Sequence, residues 1–578
     1  MSSPSIISAI RQLREILTRE EKIKWVGIAL FALSVSILEV ITATVIVVFA
    51  QVLNQPEKGQ KYLSMLGVDV VLSPGRTVFY IALMVGIVYL FKNLVAAGEA
   101  LFQSFSIQKM GYHFRNRLLH RYAQTDYGFY LTRNSSLGLQ VVGSDVESLC
   151  TNGMTSLAII LSESFVFLCL VGMIVYMNPS LALTIFGLVG VISLIIIKGL
   201  LPKFYGWGKG FQEAQVQCYK NLMQFFHAFK EVVLLGKRDI FIKRYSTWSF
   251  KKSRFQALQT AVNMLPRMAI EVLFVGLFVV IIAILCLEQE SPVHMLGLLG
   301  GYLYAGFRLM PGLNRLISQV NLLKSAIPSI ERAHQEYTNL VTEENYVDAP
   351  MFSFEKSIEI QTMSFQYLNT IKPALKNVSF QIKRGESIGI VGETGSGKST
   401  LVDLILGLLR PSEGSILVDG KFPVNSYQWH KRIGYVPQSI YLTDDAIESN
   451  IAFGEEVIDQ RRLQASIEAA QLEKFIEKAP EGLQTIVGER GIRVSGGERQ
   501  RIAIARALYH QPDVLIFDEA TSALDNTTEK KLMETIRSVS HNRTVIMIAH
   551  RLTTLKDCDR IVVMKEGGVD KVTTYEDL

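Results

Sequence analysis

Residues 392–400 read GETGSGKST and directly follow the apolar run SIGIV at 387–391. The pattern GxxxxGKS/T between a predicted strand and a predicted helix is typical of a loop that binds phosphate groups. Its glycines let backbone N–H groups converge on phosphate oxygens, and the N-terminus of the helix adds the positive end of its dipole. The sequence therefore predicts a nucleoside triphosphate site, in which Lys398 contacts the β- and γ-phosphates and Ser399 coordinates Mg²⁺.

A second stretch in the same half of the chain ends in two adjacent carboxylates. Residues 514–519 read VLIFDE, and Asp518 stands 120 residues after Lys398. The four apolar residues predict a buried strand. We expect Asp518 to hold the Mg²⁺ shell and Glu519 to polarise the attacking water as a general base.

The chain before residue 330 is much more apolar than the chain after it. Of all 578 residues, 49% are hydrophobic and 19% are charged, and the mean hydropathy is +0.25. A helix needs ~20 residues to cross the hydrocarbon layer of a membrane. Apolar runs near that length lie at 25–50, 77–105, 154–176, 181–201, 268–287 and 293–316.

This change in composition predicts the domain organisation. An amphipathic basic segment occupies 1–24, a six-span α-helical transmembrane domain 25–330, and a polar linker 331–354. An α/β nucleotide-binding domain with the phosphate loop follows at 355–578. The N-terminal segment lacks the apolar core and cleavage site of a signal peptide, so we expect a cytosolic helix that lies against the membrane surface.

The distribution of Lys and Arg predicts the orientation in the membrane. The long segments 106–135 and 202–254 are rich in Lys and Arg, whereas the short connections 177–180 and 288–292 contain neither. Basic loops face the cytoplasm. We therefore expect both termini and the nucleotide-binding domain in the cytoplasm and residues 51–76 outside. Six spans with one nucleotide-binding domain, and the lack of a signal peptide, suggest a multi-pass protein of the plasma (inner) membrane.

Three shorter segments carry expectations of their own. Residues 61–71 form either a short amphipathic helix at the outer surface or an ordered loop. The basic segments are much longer than turns, which suggests helices that continue into the cytosol. Residues 122–131 and 221–235 are the candidates for short crossing helices that contact a cytosolic partner.

A further Gly-rich stretch precedes another predicted helix. Residues 494–498 read VSGGE, and RQRIAIARA follows. This stretch resembles the ABC signature LSGGQ, with departures at Val494 and Glu498. In that family the signature contacts the γ-phosphate bound by the opposite subunit, so the resemblance places Ser495, Gly496 and Gly497 there. Glu498 adds a negative charge near the phosphate, and we expect it to alter affinity without abolishing function.

Other short stretches resemble further parts of the ABC ATPase. Tyr367 resembles the aromatic residue that stacks on adenine, although a tyrosine in a core strand fits the pattern as well. Gln438, in YVPQ, resembles the glutamine that touches Mg²⁺, and His550, in IAHR, resembles the γ-phosphate sensor. The residues expected to contact nucleotide are Tyr367, Gly392, Glu393, Thr394, Gly395, Ser396, Gly397, Lys398, Ser399, Thr400, Gln438, Ser495, Gly496, Gly497, Glu498 and Asp525.

The resemblance also implies the assembly. Residues 522–525, SALD, resemble the loop that crosses the dimer interface, and 488–491, GERG, resemble the exporter segment that contacts the crossing helices. One ATP domain and six spans per chain imply a homodimer with each ATP between two subunits. Membrane helices fused ahead of the ATP domain resemble the half-transporters among ABC exporters, which couple ATP hydrolysis to translocation.

Charged residues inside the predicted spans are the best clue to the cargo. They are Glu39, Lys92, Arg267, Glu271, Arg308 and Arg315. Two explanations stand: Glu–Lys and Glu–Arg pairs that hold helices together, or a basic cavity for an anionic head group. The net charge of +6 is small for a chain of this length and gives little support to a nucleic-acid partner.

Three short membrane stretches suggest a particular cargo. SILE at 36–39, LPRMAIE at 265–271 and FRLMPGLNR at 307–315 resemble those of bacterial lipid-linked oligosaccharide flippases. The resemblance implies a polyprenyl-pyrophosphate-linked glycan, moved outward for protein glycosylation and attracted by the arginines of these stretches. A lipid A precursor, a peptide or an amphipathic drug remain alternative cargoes. An ATP-gated channel or a regulatory membrane ATPase is disfavoured by the presence of Glu519 and His550.

Overall fold

The computed structural model describes residues 5–54, 56–65, 73–131, 135–177, 201–287, 292–340, 350–368, 370–488, 491–519, 533–537, 543–549 and 551–578. The chain divides into two compact units. The first unit comprises Met1–Ala123 and Asn134–Val341, and the second comprises Gln124–Arg133 and Thr342–Leu578.

All the regular secondary structure that is described in the first unit is helical. Its helices, with α5 of the second unit in its chain position, are α1 Ile6–Ile16, α2 Arg19–Asn54, α3 Pro56–Met65, α4 Pro74–Ala123, α5 Tyr127–Leu131, α6 Ser135–Gln140, α7 Thr155–Met177, α8 Leu201–His227, α9 Phe229–Leu234, α10 Arg238–Leu287 and α11 Pro292–Asn339. Between α6 and α7 the chain stays helical, with wider π-helical turns at Val141–Asp145 and Leu149–Met154.

Three helical stretches are long and apolar enough by composition to cross a membrane, when only the described residues are searched: Arg19–Leu53, Pro74–Ala123 and Leu137–Gly172. The predicted spans 268–287 and 293–316 lie within α10 and α11. The predicted span 181–201 falls outside the described residues except for Leu201. With 50 residues each, α4 and α10 are about 75 Å long, more than twice the hydrocarbon thickness.

The N-terminal helix is held by protein contacts on its apolar face. Helix α1 packs against α11 and buries Ala9, Leu13 and Ile16. Next to it, Arg117 of α4 pairs with the buried Glu21 of α2 at 2.8 Å. Part of the apolar side that predicted a membrane-surface helix is therefore buried within the protein, while Ile7 and Ile10 stay exposed.

Helix α3 lies at the end of α2 that the sequence places outside the membrane. It begins at Pro56, five residues before the predicted start at 61, and residues 66–72 lie outside the described chain. A Cβ atom on Gly59 would come within 2.5 Å of a Thr77 methyl and 2.9 Å of a Val52 methyl. The missing side chain thus lets α3 pack closely on α2 and α4.

The second unit is an α/β domain with short helices. In chain order its elements are β1 Ser357–Phe365, β2 Leu375–Lys383, β3 Ser387–Gly392, α12 Lys398–Ile405, β4 Glu413–Val418, β5 Phe422–Pro423, α13 Tyr427–His430, β6 Ile433–Val436, α14 Ile447–Ile451, α15 Gln460–Ala469, α16 Glu473–Lys478, α17 Gly496–Tyr509, β7 Val514–Asp518, β8 Thr544–Ile548, β9 Arg560–Lys565 and β10 Gly568–Thr573.

Two sheets organise these elements. One is antiparallel with strand order β2-β1-β4-β5, and the other has the order β10-β9-β3-β8-β7-β6. In the second sheet β9, β3, β8, β7 and β6 run parallel, and every residue of β7 and β8 is buried, as expected for strands covered on both faces. Because the carboxyl ends of parallel strands share one edge, the segments that follow β3, β6 and β7 meet there.

Candidate functional site

The loop between β3 and α12 has a backbone that depends on its glycines. Gly397 has φ +98°, in the left-handed region, and a Cβ atom there would lie 2.6 Å from Leu375 Cδ2. At Gly392 a Cβ atom would lie 2.3 Å from the carbonyl oxygen of Met564. Side chains at these two positions would therefore disrupt the loop.

Lys398 and Ser396 lie in this loop as polar groups suited to a phosphate. The Lys398 ammonium donates to the carbonyl oxygens of Gly392 at 2.9 Å and Glu393 at 3.1 Å. The buried Ser396 hydroxyl makes no hydrogen bond within the described residues. Buried polar groups normally have partners. An unsatisfied hydroxyl beside an ammonium and a helix N-terminus fits the oxygen-rich phosphates of ATP.

Tyr367 lies beside the phosphate loop. Strand β1 ends at Phe365, so Tyr367 stands just outside a strand, and its position is not that of a core strand tyrosine. Its hydroxyl lies 3.0 Å from the Thr400 hydroxyl, and its ring packs edge-on against Phe365 with centroids 4.9 Å apart. Tyr367 is half-buried, which leaves part of the side chain at the surface next to the loop.

The acidic pair lies at the carboxyl edge of the parallel sheet. Asp518 ends β7 and accepts a hydrogen bond from the Tyr435 hydroxyl at 3.3 Å. Glu519 has φ +48°, which is costly for a residue other than glycine, and its backbone N–H donates to Ile548 of β8 at 3.1 Å. The side-chain amide of Gln438 donates to the Glu519 carboxylate. The fold thus brings together two residues that lie 81 positions apart in the sequence.

Two residues near this edge were missed by sequence reasoning. Asp403 lies on α12, where burial and the negative charge of Asp518 raise the pKa of its carboxyl to about 6. Tyr435 is the first residue of the YVPQ stretch, in which only Gln438 was given a role, and burial with the nearby carboxylates raises the pKa of Tyr435. An acidic residue within the otherwise apolar LVDLI stretch was the available signal for Asp403.

Replacing Asp403 with Asn is expected to raise the thermal midpoint near pH 7.5 by roughly 2–4 °C. The folded-state pKa lies above the ordinary 3.8, so the folded protein favours the protonated carboxyl and loses stability as pH rises from 3.8 to about 6. Asn cannot ionise and removes this cost, which partial solvent screening limits to about 1 kcal/mol. Thermal unfolding of the full-length protein near pH 7.5 and near pH 4 measures the effect. An unchanged midpoint near pH 7.5 contradicts it.

The signature stretch forms the N-terminus of α17. Ser495 caps the helix, with its hydroxyl accepting from the Glu498 N–H at 3.4 Å. The Glu498 carboxylate accepts from the Ser495 N–H at 2.8 Å, which completes a capping box. Val494 is buried in the core of the unit. The departure from glutamine at 498 therefore keeps a group that can satisfy the Ser495 N–H, and its charge lies at the positive end of the helix dipole.

Replacing Glu498 with Ala is expected to destabilise the protein by about 1 kcal/mol, since it removes one of the two hydrogen bonds of the capping box. Glu498→Gln retains an acceptor and loses only the favourable charge at the helix N-terminus, so its thermal midpoint should lie above that of the Ala variant. Thermal unfolding of the two full-length variants side by side checks this. Equal midpoints for Ala and Gln would mean that the capping box does not stabilise α17.

Several predicted site residues cannot be placed. Asp525 and His550 lie outside the described residues, as do residues 489–490 of the GERG stretch. The backbone at Arg308 is helical within α11, but its side chain also lies outside the description.

Each of the two segments predicted as crossing helices, 122–131 and 221–235, contains a turn followed by a short helix. In the first, α5 belongs to the second unit, and a Cβ atom on Gly128 would lie 3.5 Å from Leu409 Cδ2. Burial and the charge of Asp403 raise the pKa of Tyr127 in α5. In the second, α9 joins α8 to α10 and exposes Phe229 and Leu234.

Five of the six charged residues of the predicted spans, all but Arg308, form ion pairs in the described part of the structure. Lys92 of α4 lies 3.1 Å from Glu39 of α2, with side chains only 6% and 4% exposed. Arg315 of α11 lies 3.0 Å from Glu163 of α7. These four residues, together with Glu99, line one cavity of about 380 Å³. The cavity therefore contains three carboxylates and two cations, so its described residues do not make it basic.

A second cavity of the first unit was missed by sequence reasoning. It has a volume of about 580 Å³, and Arg267 and Arg315 line it together with many amide side chains. Arg267 pairs with Glu271, one turn away on α10, at 2.9 Å. The signal in the sequence was Gln256, Gln259 and Asn263 ahead of Arg267, a spacing of three or four residues that places all of them on one helix face.

Comparisons with known proteins agree with this architecture. The family model of the ABC transporter transmembrane region matches residues 25–288, and that of the ABC transporter matches residues 375–522. The ATP-dependent lipid A-core flippase of Methylobacillus flagellatus is 30% identical over 435 residues, which cover 72% of this chain and 71% of the relative. The protein of the same name from Escherichia coli K12 is 28% identical over 473 residues, 80% of each chain.

A solved structure has the same fold along nearly the whole chain. It is described as a bacterial Atm1-family ABC exporter with ATP bound, and it matches with a TM-score of 0.77 and 23% identity over 96% of each chain. At this identity the likeness shows the fold. The chain described here belongs to the ABC transporter family, as a half-transporter with the exporter fold whose ATP hydrolysis is coupled to transmembrane translocation.

Proposed function

We propose that this chain, as a homodimer, uses ATP to flip a lipid-linked anionic substrate, in particular a polyprenyl-pyrophosphate-linked oligosaccharide, across the plasma (inner) membrane. Both termini and the ATP domain lie in the cytoplasm. The observation that carries the proposal is that Arg267 and Arg315 line the same cavity of about 580 Å³. Pyrophosphate oxygens suit the two-pronged hydrogen bonding of guanidinium groups.

The position of these arginines along their helices supports an anionic head group. Arg267 directly precedes the predicted span 268–287, and Arg315 lies at the cytosolic end of 293–316. The head group of a lipid lies at that boundary between hydrocarbon and water. Their side chains are 72% and 58% exposed although each has a carboxylate partner, so a substrate can reach both.

The ATP site is proposed to act across the dimer. The phosphate loop, with Lys398, of one subunit and Ser495–Gly497 of the other enclose each ATP, and the unsatisfied Ser396 hydroxyl supports a phosphate at the loop. Ser399, Gln438 and Asp518 would hold Mg²⁺, which neutralises charge on the β- and γ-phosphates.

The other residues have proposed roles around the same ATP. Glu519 orients the water that attacks the γ-phosphate and accepts its proton. Tyr367 is proposed to stack on adenine. His550 and Asp525 are proposed to contact the γ-phosphate and the dimer interface.

A second cargo is favoured by the relatives. Two relatives, matched by this chain over 71% and 80% of their own length, are named ATP-dependent lipid A-core flippases. Lipid A-core is also a phosphorylated lipid that carries saccharides, so the same arginines suit it. The membrane stretches at 265–271 and 307–315 favour the polyprenyl-pyrophosphate cargo.

ATPase activity in nanodiscs tests the proposal. We expect several-fold stimulation by a polyprenyl-pyrophosphate glycan, and its loss in Arg267→Ala and Arg315→Ala. Arg254→Ala is the matched control, because Arg254 is exposed on the same helix α10 and does not line the cavity. Stimulation by lipid A-core alone would select the second cargo. Stimulation that survives both substitutions, or none by either lipid, would contradict the proposal.

A further inference from the structure

The cavity of about 580 Å³ in the first unit has an unusual lining. Ligand pockets are mostly apolar with a few polar groups. Here nine of the lining residues are Asn or Gln and six are Ser or Thr, against one carboxylate and two arginines. They come from α6, α8, α10, α11 and the helical stretch that joins α6 to α7. The lining is therefore rich in neutral amide and hydroxyl side chains and poor in charged ones.

Helix α10 contributes a continuous polar stripe to this lining. Gln256, Gln259, Asn263 and Arg267 follow one another at intervals of three and four residues, which places them on one face. From Arg267 to Gln256 the stripe extends about 16 Å along the helix. Since Arg267 adjoins the predicted span, the amides lie on the side away from the membrane.

Some of these amides serve the fold, and others have unused hydrogen-bonding capacity. Asn263 donates to Ser318 at 2.8 Å and accepts from Asn321 at 3.0 Å. By contrast, Gln256 and Gln259 make no hydrogen bond within the part of the chain that the structure describes. The buried side-chain oxygen of Asn314 also has no partner among the described residues. The cavity therefore offers donors and acceptors to a ligand.

We infer that this cavity binds the saccharide head group of the substrate, an inference that rests on the proposed function. Carboxamides donate and accept at once, which matches sugar hydroxyls and N-acetyl groups. The half-buried Phe211 adds aromatic surface to the lining, suited to the apolar face of a sugar ring. Arg267 and Arg315 hold the phosphates at the membrane end, and the stripe is long enough for several linked sugars.

The neutral lining separates this role from attraction of charge. Arginine side chains bind the phosphates of any phosphorylated lipid, whereas amide side chains bind the sugars that the lipid carries. The amide side chains should therefore increase affinity only for a lipid with a glycan. A bare polyprenyl pyrophosphate should depend on the arginines alone.

The test compares a polyprenyl pyrophosphate that carries an oligosaccharide with the same lipid without sugar, on the full-length protein in nanodiscs. The readout is the lipid concentration that gives half-maximal ATPase stimulation. In the parent we expect the glycan lipid to act at a lower concentration than the bare lipid. The double variant Gln256→Leu/Gln259→Leu should raise the value for the glycan lipid about tenfold, as the loss of two modest hydrogen bonds predicts. Its value for the bare lipid should stay the same.

Gln108→Leu is the matched control, because Gln108 is exposed on α4 and does not line the cavity. It should behave as the parent with both lipids. An unchanged glycan response in the double variant, or equal values for the two lipids in the parent, would overturn the inference while the proposed function stands. If neither lipid stimulates the parent, the proposed function fails and the inference fails with it.

Discussion

Replacing Glu519 with Gln should lower ATP turnover at least a hundredfold while ATP still binds. The loss of a general base costs on the order of 10²–10⁴ in rate. The carboxylate lies at the carboxyl edge of the sheet, next to Asp518 and in contact with Gln438. A glutamine has nearly the same shape and still offers an oxygen to Gln438, so the site should keep its geometry. Phosphate release and ATP binding, measured on the same full-length samples, separate the two effects.

Glu566→Gln is the control for this experiment. Glu566 also has φ +48°, and it is exposed at the turn between β9 and β10. The same chemical change at the same backbone conformation should leave turnover as in the parent. Turnover of Glu519→Gln within twofold of the parent, or loss of ATP binding, would contradict the assignment of Glu519 as the base.

Replacing Lys92 with Met should destabilise the first unit by about 3–5 kcal/mol, the cost of breaking a buried ion pair. The Glu39 and Lys92 side chains are almost completely buried. The variant therefore leaves the Glu39 charge in a region of low dielectric constant without the ammonium. Thermal unfolding of the full-length protein in detergent measures the loss. Arg267→Met is the matched control, because it breaks an exposed pair and should cost less than about 1 kcal/mol.

The double variant Glu39→Met/Lys92→Met distinguishes a structural pair from a substrate site. If the pair only holds α2 to α4, two apolar side chains should restore much of the stability, and substrate should still stimulate the ATPase. If the pair binds substrate, the double variant should be stable but should not respond to the lipid. Lys92→Met with the stability of the parent would mean that the buried pair contributes nothing.

Local motifs predicted the parts of the ATP site that depend on sequence neighbours. Residues 392–400 and 514–519 lie at the strand ends and turns expected for them. Their apolar residues, glycines and polar residues follow one another within a few positions, so the local sequence is enough to predict them. The contact between Gln438 and Glu519 could not be predicted in the same way. It requires β6 and β7 to be adjacent and parallel, which only the strand order of the sheet provides.

Pairing in the membrane domain was predicted in kind but not in detail. Ion pairs between helices were one of the two explanations for the charged residues, and the structure joins Glu39 to Lys92. Glu163, the partner of Arg315, lies in an apolar run and was not considered. The amide-lined cavity was missed because its residues come from several helices far apart in the sequence, and only the α10 stripe has a regular spacing.

The most direct measurement is transport in proteoliposomes that contain a labelled polyprenyl-pyrophosphate glycan. ATP added outside acts on the molecules whose ATP domain faces out, and transport moves the glycan into the lumen, where an added glycosidase cannot reach it. The account predicts ATP-dependent protection of the glycan with the parent protein and none with Glu519→Gln. No protection with the parent, or equal protection with Glu519→Gln, would contradict an ATP-driven lipid-linked glycan flippase.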